Sequence, residues 1–455
     1  MSSLRSAPWF DRVIRAFVLA SVWLCAALRV PLARATCERP NIVWLIADDQ
    51  RWDDYSFMGH PWIRTPNLDR LAAQSLVFER GYVPTSLCRP SLASLITGLY
   101  PHQHGITGND PAENRRDPAA RQRLVDRFLK NPRLPAILQE YGYLSFQSGK
   151  WWEGHYSNGG FTHGMTHGDV TRGGRHGDVG LRIGRRTMQP VFDFIDMAVA
   201  GGKPFFLWFA PMMPHLPHNP PDRFLARYRA QGHPLPLARY YAMCEWWDET
   251  CGELLDYLDK KGLTENTIVF YVCDNGWVQR LDSAGGPFGG PRGKRSAYDG
   301  GVRTPIMIRW PGHVKPRRDK DSLASSLDFV PTVLAALGIS GAHDYPGIDL
   351  LDPDAVASRD AVFGEIYLHD IVDLDDPTQS LLYRWVVTSE WKYIEPTSLA
   401  KGEFGPASPM LARIRIDPDE TINVARLFPE VVRRLHARLR AVWHTEQRDR
   451  SGRDR

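Results

Sequence analysis

The chain has 455 residues, 43% hydrophobic and 24% charged, with a formal net charge of +4. This is ordinary globular composition and more than one small core needs, so one large domain plus a smaller one is expected. Residues 1–35 hold five arginines and one aspartate, a balance of +4 that leaves the rest of the chain near zero; with no long basic run, a nucleic-acid partner is excluded.

Arg5, Arg12 and Arg15 precede an apolar run from Ala16 to Leu28, and Ala33-Arg34-Ala35 fits a small-x-small cleavage site. A run of about thirteen residues falls short of the roughly 20 that span a bilayer. The expectation is a signal peptide over 1–35, export to the periplasm or the exterior, and no stable membrane insertion. An apolar strand at 41–47 ends in Asp48-Asp49. A helix over 65–73 starts with a cap and a first-turn proline, and strands are expected at 76–82, 143–147, 205–210, 267–273 and 304–310. The strand at 267–273 also ends in acid and amide, Asp274-Asn275-Gly276. A long helix over 238–261 stops at Gly262. The stretches 109–133 and 157–186, rich in charge, glycine and histidine, read as long surface loops. Beyond about Leu350, 361–368 and 383–394 alternate like strands of a small antiparallel sheet, and 429–447 reads as a basic amphipathic helix. Apolar strands alternating with amphipathic helices predict an α/β fold with a mostly parallel sheet covered on both faces.

Cys88 opens a short helical stretch in which Pro90 suits the first turn and Gly98 the stop, so its side chain sits where unpaired N–H groups favour an anion. Removal of the leader takes Cys25 with it and leaves five cysteines, an odd number consistent with one set aside for chemistry. Cys37, Cys244, Cys251 and Cys273 then pair or stay buried, although Cys244 and Cys251 are too far apart along one helix to bond each other. Asp48, Asp49, Asp274 and Asn275 are hard oxygen donors at the carboxyl ends of two strands, where ligands gather in open α/β sheets. Such donors suit calcium or magnesium rather than zinc, although an acid after a strand is as often a helix cap. His215, in a proline-rich loop after the strand at 205–210, has the chemistry to give a proton to a leaving alcohol; His218 has no such clear role. Histidines 102, 104, 163, 167 and 176 lack the helix spacing of a zinc enzyme.

The stretch from Ser86 to Gly98 resembles the signature of the type I sulfatases, Cys-x-Pro-x-Arg followed by Leu-x-Thr-Gly, within the alkaline phosphatase-like superfamily. Gly149-Lys150-Trp151-Trp152 is similar to that family's Gly-Lys-Trp-His, and Lys294 through Pro305 to its Lys-x-x-x-Tyr-Glu-Gly-Gly-x-Arg-x-Pro. Residues 417–423 resemble its late Asp-Pro-x-Glu-x-x-Asn. The resemblance implies a large mixed, mostly parallel sheet flanked by helices, with a catalytic domain over 36–352 and a smaller C-terminal antiparallel sheet plus helix over 353–455. It implies that Cys88 is converted to formylglycine by a formylglycine-generating enzyme. Asp48, Asp49, Asp274, Asn275 and the modified Cys88 would hold one divalent cation, calcium with magnesium as the alternative. Lys150 and Lys294 would contact sulfate oxygens, with His215 as the active-site histidine. The implied activity is that of a sulfuric ester hydrolase releasing sulfate from a sulfated, carbohydrate-type substrate. The alternatives are a phosphomonoester or phosphonate ester hydrolase of the same fold, or an unmatured sulfate-binding protein.

Two positions depart from the family pattern. Leu92 replaces the signature arginine, and Arg89 or another residue is expected to supply part of the missing charge. Trp152 replaces the histidine after the lysine, with His155, three residues on, as a candidate substitute. The aromatics Trp151, Trp152, Tyr156 and Phe161 either stack on a sugar or pack the pocket wall.

Overall fold

The computed structural model describes residues 39–112, 117–172, 174, 176–277, 292–341, 343–402 and 404–451. The expected signal peptide and Cys37 lie outside the described residues. Eight strands form the main sheet: β1 (Asn41–Ala47), β2 (Leu76–Tyr82), β3 (Leu144–Gly149), β4 (His163–Gly164), β5 (Phe205–Ala210), β6 (Thr267–Cys273), β7 (Arg303–Arg309) and β8 (Arg317–Ser325). Their spatial order is β4-β3-β5-β1-β6-β7-β2-β8, and only β7 runs against the rest. The expected strands all form, with ends shifted by a residue or two.

β1 is buried along its whole length because both faces of the sheet are covered. Ile42, Trp44 and Ile46 point into one core, and Val43, Leu45 and Ala47 into the other. Trp44 stands opposite Trp208 on one neighbour and Phe270 on the other. Burying each such large apolar side chain contributes about 1.5–3 kcal/mol. Helix α1 (Pro66–Ala73) covers the second face together with α4 (Gln189–Ala200) and the long α5 (Leu235–Lys260), while α2 (Cys88–Thr97) covers the first. The stretch 109–133 is not all loop: Pro118 opens helix α3 (Pro118–Phe128), capped by the Asp117 side chain on Ala119 N–H. Its apolar residues Leu124 and Phe128 sit in the core that also holds Trp151. The stretch 157–186 does consist of short turns and single 3-10 turns around β4.

The second sheet comprises β9 (Ala361–Tyr367), β10 (Leu381–Thr388), β11 (Trp391–Pro396) and β12 (Met410–Arg413), antiparallel throughout and in chain order. Tyr383, Trp385 and Val387 of β10 join the core around α2, and Val386 faces α6 (Pro429–Ser451) through Leu435 and Leu439. Alternation along one strand therefore ties the small sheet to the Cys88 side of the large one. No helix among the described residues is long and apolar enough to cross a membrane.

Candidate active site

Ala47 at the end of β1 stands opposite Cys273 at the end of β6, so Asp48-Asp49 and Asp274-Asn275 leave the sheet side by side. Asp274 N–H donates to Ala47 C=O at 3.0 Å, and Asp48 N–H donates to Met213 C=O at 2.9 Å, which fixes both exits. Asp49 has φ of +63°, a left-handed conformation that aspartate tolerates better than most residues. Asn275 Nδ2 donates to Asp49 Oδ1 at 2.7 Å.

Cys88 is the first residue of α2 and is buried; Gly98 ends the helix at φ +71°, its N–H donating to Ser94 C=O at 2.8 Å. The stop and the start signals read from the sequence are thus both used. Lys150 follows Gly149, where φ is +81° and a Cβ would lie 2.0 Å from Ala210 O. Only glycine lets β3 turn there and bring Lys150 N–H to 2.7 Å from Ala210 C=O. The fully buried Lys150 Nζ sits between Asp48 Oδ1 at 2.5 Å and Asp274 Oδ2 at 3.3 Å. Lys294 Nζ donates to Cys88 Sγ at 2.9 Å and also bonds Asp49 Oδ1. Ligand atoms of Asp48, Asp49, Cys88 and His215 all lie within 4.8 Å of one another.

His215 Nδ1 lies 2.7 Å from Leu216 O. A carbonyl only accepts, so Nδ1 carries the hydrogen and Nε2 is the atom turned to the site, 3.6 Å from Asp49 Oδ2. His218 is elsewhere: its ring lies 5.6 Å from Tyr240 and 6.4 Å from Trp277, two rings stacked at 3.3 Å. Burial lowers its pKa to about 4 despite Asp49.

The electrostatics are unbalanced. Three buried carboxylates face two ammonium groups. Burial pushes Asp274 up to about 7, Lys150 pulls it down, and Asp48 and Asp49 push it up again. Burial would also raise Asp49, but Lys294, His215 and Lys150 outweigh it and hold that carboxyl below the usual range. Burial alone would lower Lys150, whereas Asp274 and Asp48 hold it well above the ordinary lysine value. Burial pushes the Cys88 thiol up to about 11 against the pull of both lysines. At neutral pH it is a thiol, not the thiolate that a cysteine nucleophile needs. Asp48 Oδ2 and Asn275 Oδ1 are buried acceptors that no donor among the described residues reaches. Orphaned hard oxygens beside a carboxylate surplus fit a divalent cation of the calcium or magnesium kind.

Two expectations are corrected. Arg89 does not stand in for the missing arginine: its guanidinium is matched by Glu153, Nε at 2.7 Å and Nη2 at 2.6 Å, and its backbone N–H donates to Asn109 Oδ1 at 3.0 Å. Leu92 is buried in the core beneath the helix. His155 does not replace the missing histidine, because its Nδ1 pairs with Ser157 Oγ at 2.8 Å in an exposed turn. The imidazole that does approach is His176, whose ring lies 4.4 Å from Trp152 and 6.2 Å from His215. Its only sequence signal is membership of a glycine- and histidine-rich stretch. Trp151 and Phe161 are wall residues, buried edge to face against each other, with Trp151 also against Phe128 and Trp208. Cys88, Cys244, Cys251 and Cys273 are free and buried.

Comparison with known proteins agrees with this geometry. The Sulfatase family model matches residues 40–339, and the model for the N-sulphoglucosamine sulphohydrolase C-terminal region matches 290–443. The chain belongs to the sulfatase family, on an alkaline phosphatase-like fold. It is 31% identical over 353 residues to N-acetylgalactosamine-6-sulfatase of Canis lupus familiaris, covering 69% of this chain and 65% of that protein. The chain thus spans just under two thirds of that relative's length. It is 26% identical to N-acetylgalactosamine-6-O-sulfatase of Bacteroides thetaiotaomicron, over 89% of this chain and 93% of that protein. A solved Bacteroides thetaiotaomicron protein, described under the metabolism of multiple glycosaminoglycans, superposes with a TM-score of 0.69 at 25% identity, over 89% of this chain and 99% of that one.

Proposed function

We propose that this chain is a sulfuric ester hydrolase that releases inorganic sulfate from a sulfated carbohydrate. The carrying observation is the convergence of Lys150, Lys294, three carboxylates, Asn275 and His215 on Cys88 at a helix start. Asp48, Asp49, Asp274 and Asn275 would hold one divalent cation together with residue 88. When present, the cation supplies neutralising positive charge and a formylglycine made from Cys88 supplies the attacking hydroxyl. A formylglycine-generating enzyme is the partner this requires. The neutral thiol supports that reading, since cysteine itself is a poor nucleophile here.

The chain's own residues have separable tasks. Lys150 and Lys294 keep their charge at neutral pH and offset the sulfuryl oxygens as charge develops there, the electrostatic term expected to dominate. His215 Nε2 faces the same space and passes a proton to the departing alcohol, while its Nδ1–H stays on Leu216 C=O. The buried Leu92 and the Arg89–Glu153 pair hold α2 without adding net charge to the site. The carbohydrate assignment leans on the N-acetylgalactosamine sulfatases among the relatives, and export on the leader-like residues 1–35.

The test is peptide mass spectrometry across Cys88 on protein co-produced with the maturation enzyme, followed by assays on aryl sulfate and aryl phosphate. Conversion of the thiol to the aldehyde lowers the mass by about 18 Da, and sulfate release should then far exceed phosphate release. A faster phosphatase would favour the phosphoester reading, and unmodified Cys88 in this preparation the sulfate-binding one.

A further inference from the structure

Arg185 lies in a tight turn at the edge of the site, with Gly184 N–H donating to Thr187 C=O at 3.0 Å. Its guanidinium makes no ion pair with a carboxylate among the described residues, although burial lowers its pKa to about 10 against the pull of Asp48. A half-buried cation without a counter-ion is costly unless its donors are met. They are met by one loop. Nε donates to Met212 C=O at 3.1 Å, Nη1 to Pro217 C=O at 3.2 Å and Asn219 Oδ1 at 2.7 Å, and Nη2 to His215 C=O at 2.7 Å and again to Met212 C=O.

That loop carries His215, and its two halves are held differently. The inner half is stitched to β1 by Asp48 N–H on Met213 C=O. In the outer half, Leu216 is 58% exposed. The remaining hydrogen bonds there stay inside the loop, Asn219 N–H to Pro217 C=O and His215 Nδ1–H to Leu216 C=O. Among the described residues the Arg185 fork is therefore the hydrogen-bonded external hold on the outer half, beside the ring contacts of His218 with Tyr240 and Trp277. A planar five-donor group suits four acceptors spread over eight residues in a way that a point charge does not.

We propose that Arg185 is a positioning residue for His215, setting the direction of Nε2 and thereby how poor a leaving alcohol the enzyme can expel. This rests on the reading of His215 as proton donor. As the sulfur–oxygen bond to the alcohol breaks and the bond to the attacking oxygen forms, the electron pair left on the alcohol oxygen takes the Nε2 proton. The alcohol departs neutral and the imidazole is left neutral, with its Nδ1–H unchanged. An aryl alcohol of low pKa scarcely needs that proton, whereas a sugar hydroxyl does. Misaligning Nε2 should therefore harm the second class selectively.

The experiment measures kcat and KM for a series of aryl sulfates of rising phenol pKa and for a hexose 6-sulfate, using matured wild type, R185M, R185K, H215A and R185M/H215A. H215A should lower kcat on the poorest leaving groups by about 10²–10³-fold and steepen the dependence on phenol pKa. R185M should steepen it too, by about 10–100-fold at the poor end and under about threefold at the good end, with KM little changed. R185K should not rescue, and the double variant should match H215A alone. A steep H215A series with an R185M loss uniform across substrates, confined to KM or additive with H215A would overturn the proposal alone. A flat H215A series would overturn the reading of His215 and the proposal with it. Should R185M melt below assay temperature, N219A removes one acceptor and must show the same selective loss in smaller measure.

Discussion

Two buried clusters in this protein have similar ingredients and opposite characters. Around Cys88, three aspartates meet two lysines; against the C-terminal sheet, Asp299 and Glu420 meet Lys392 and Arg303. In the second cluster three of the four carboxylate oxygens accept a hydrogen bond, and the fourth, Glu420 Oε1, has none but lies beside the Lys392 ammonium. Lys392 Nζ lies 2.8 Å from Asp299 Oδ1 and 3.1 Å from Glu420 Oε1, Tyr82 Oη donates to Asp299 Oδ2 at 3.3 Å, and Asp299 N–H reaches Glu420 Oε2 at 2.5 Å. Charges balance once Arg303, 3.6 Å from Asp299, is included. Around Cys88 they do not, and two acceptors are orphaned. A charge-balanced cluster is a structural knot, whereas a surplus of carboxylates aimed at shared space is a demand for a ligand.

The comparison can be broken in three ways. The largest expected effect is from Asp274→Asn, which removes surplus charge from the site: kcat/KM on an aryl sulfate should fall about 10³-fold while the melting temperature stays at that of chelated wild type. A melting point that collapses along with activity would make the site a structural knot after all. Lys392→Met strips the counter-charge from two buried carboxylates and should cost about 3–5 kcal/mol in urea unfolding. If it were neutral, the second cluster would not be a knot. Chelation by EDTA should abolish activity and lower stability by about 3 kcal/mol relative to protein at a hundredfold excess of cation over its Kd. Thermal melts of wild type should show that shift, and melts of Asp274→Asn should not.

The smallest effect sharpens how α2 is held. His104 Nδ1 accepts from Ile106 N–H at 3.1 Å, so its Nε2–H is the donor toward Ser94 Oγ at 2.9 Å, which needs the neutral ring. Burial lowers its pKa to about 3, with Glu365 opposing. The unfolded chain takes up the proton below the ordinary value near 6.5 and the folded chain does not, so stability is complete above that pH and is lost as pH falls toward about 3. By pH 5 the loss is about 2 kcal/mol. His104→Gln should remove that slope when urea unfolding is compared at pH 7 and pH 5; an unchanged slope would put the acid sensitivity elsewhere.

Motifs local in sequence were legible because their physics is local. The strand ends at Ala47 and Cys273, the helix start at Cys88 and its stop at Gly98, and the turn at Gly149 before Lys150 all follow from strand length, capping and φ preference within a few residues. Hence Asp48, Asp49, Asp274, Asn275, Lys150, Lys294 and His215 could be named as one constellation, and β7's reversed direction does not disturb it.

What only the tertiary structure decided is which partner each charge finds. Arg89 turns to Glu153, 64 positions away, and so does not compensate in charge for the replacement of the family arginine by Leu92. His155 and His176 are alike in sequence context, yet one lies in an exposed turn and the other against Trp152. Arg185 has no local signal at all; its role exists because the loop from Met212 to Asn219 folds back over it. Residue type fixes the charge and the donors a side chain brings, and short-range periodicity fixes the element that carries it. Pairing across tens or hundreds of residues depends on burial and distance, which the folded chain alone supplies.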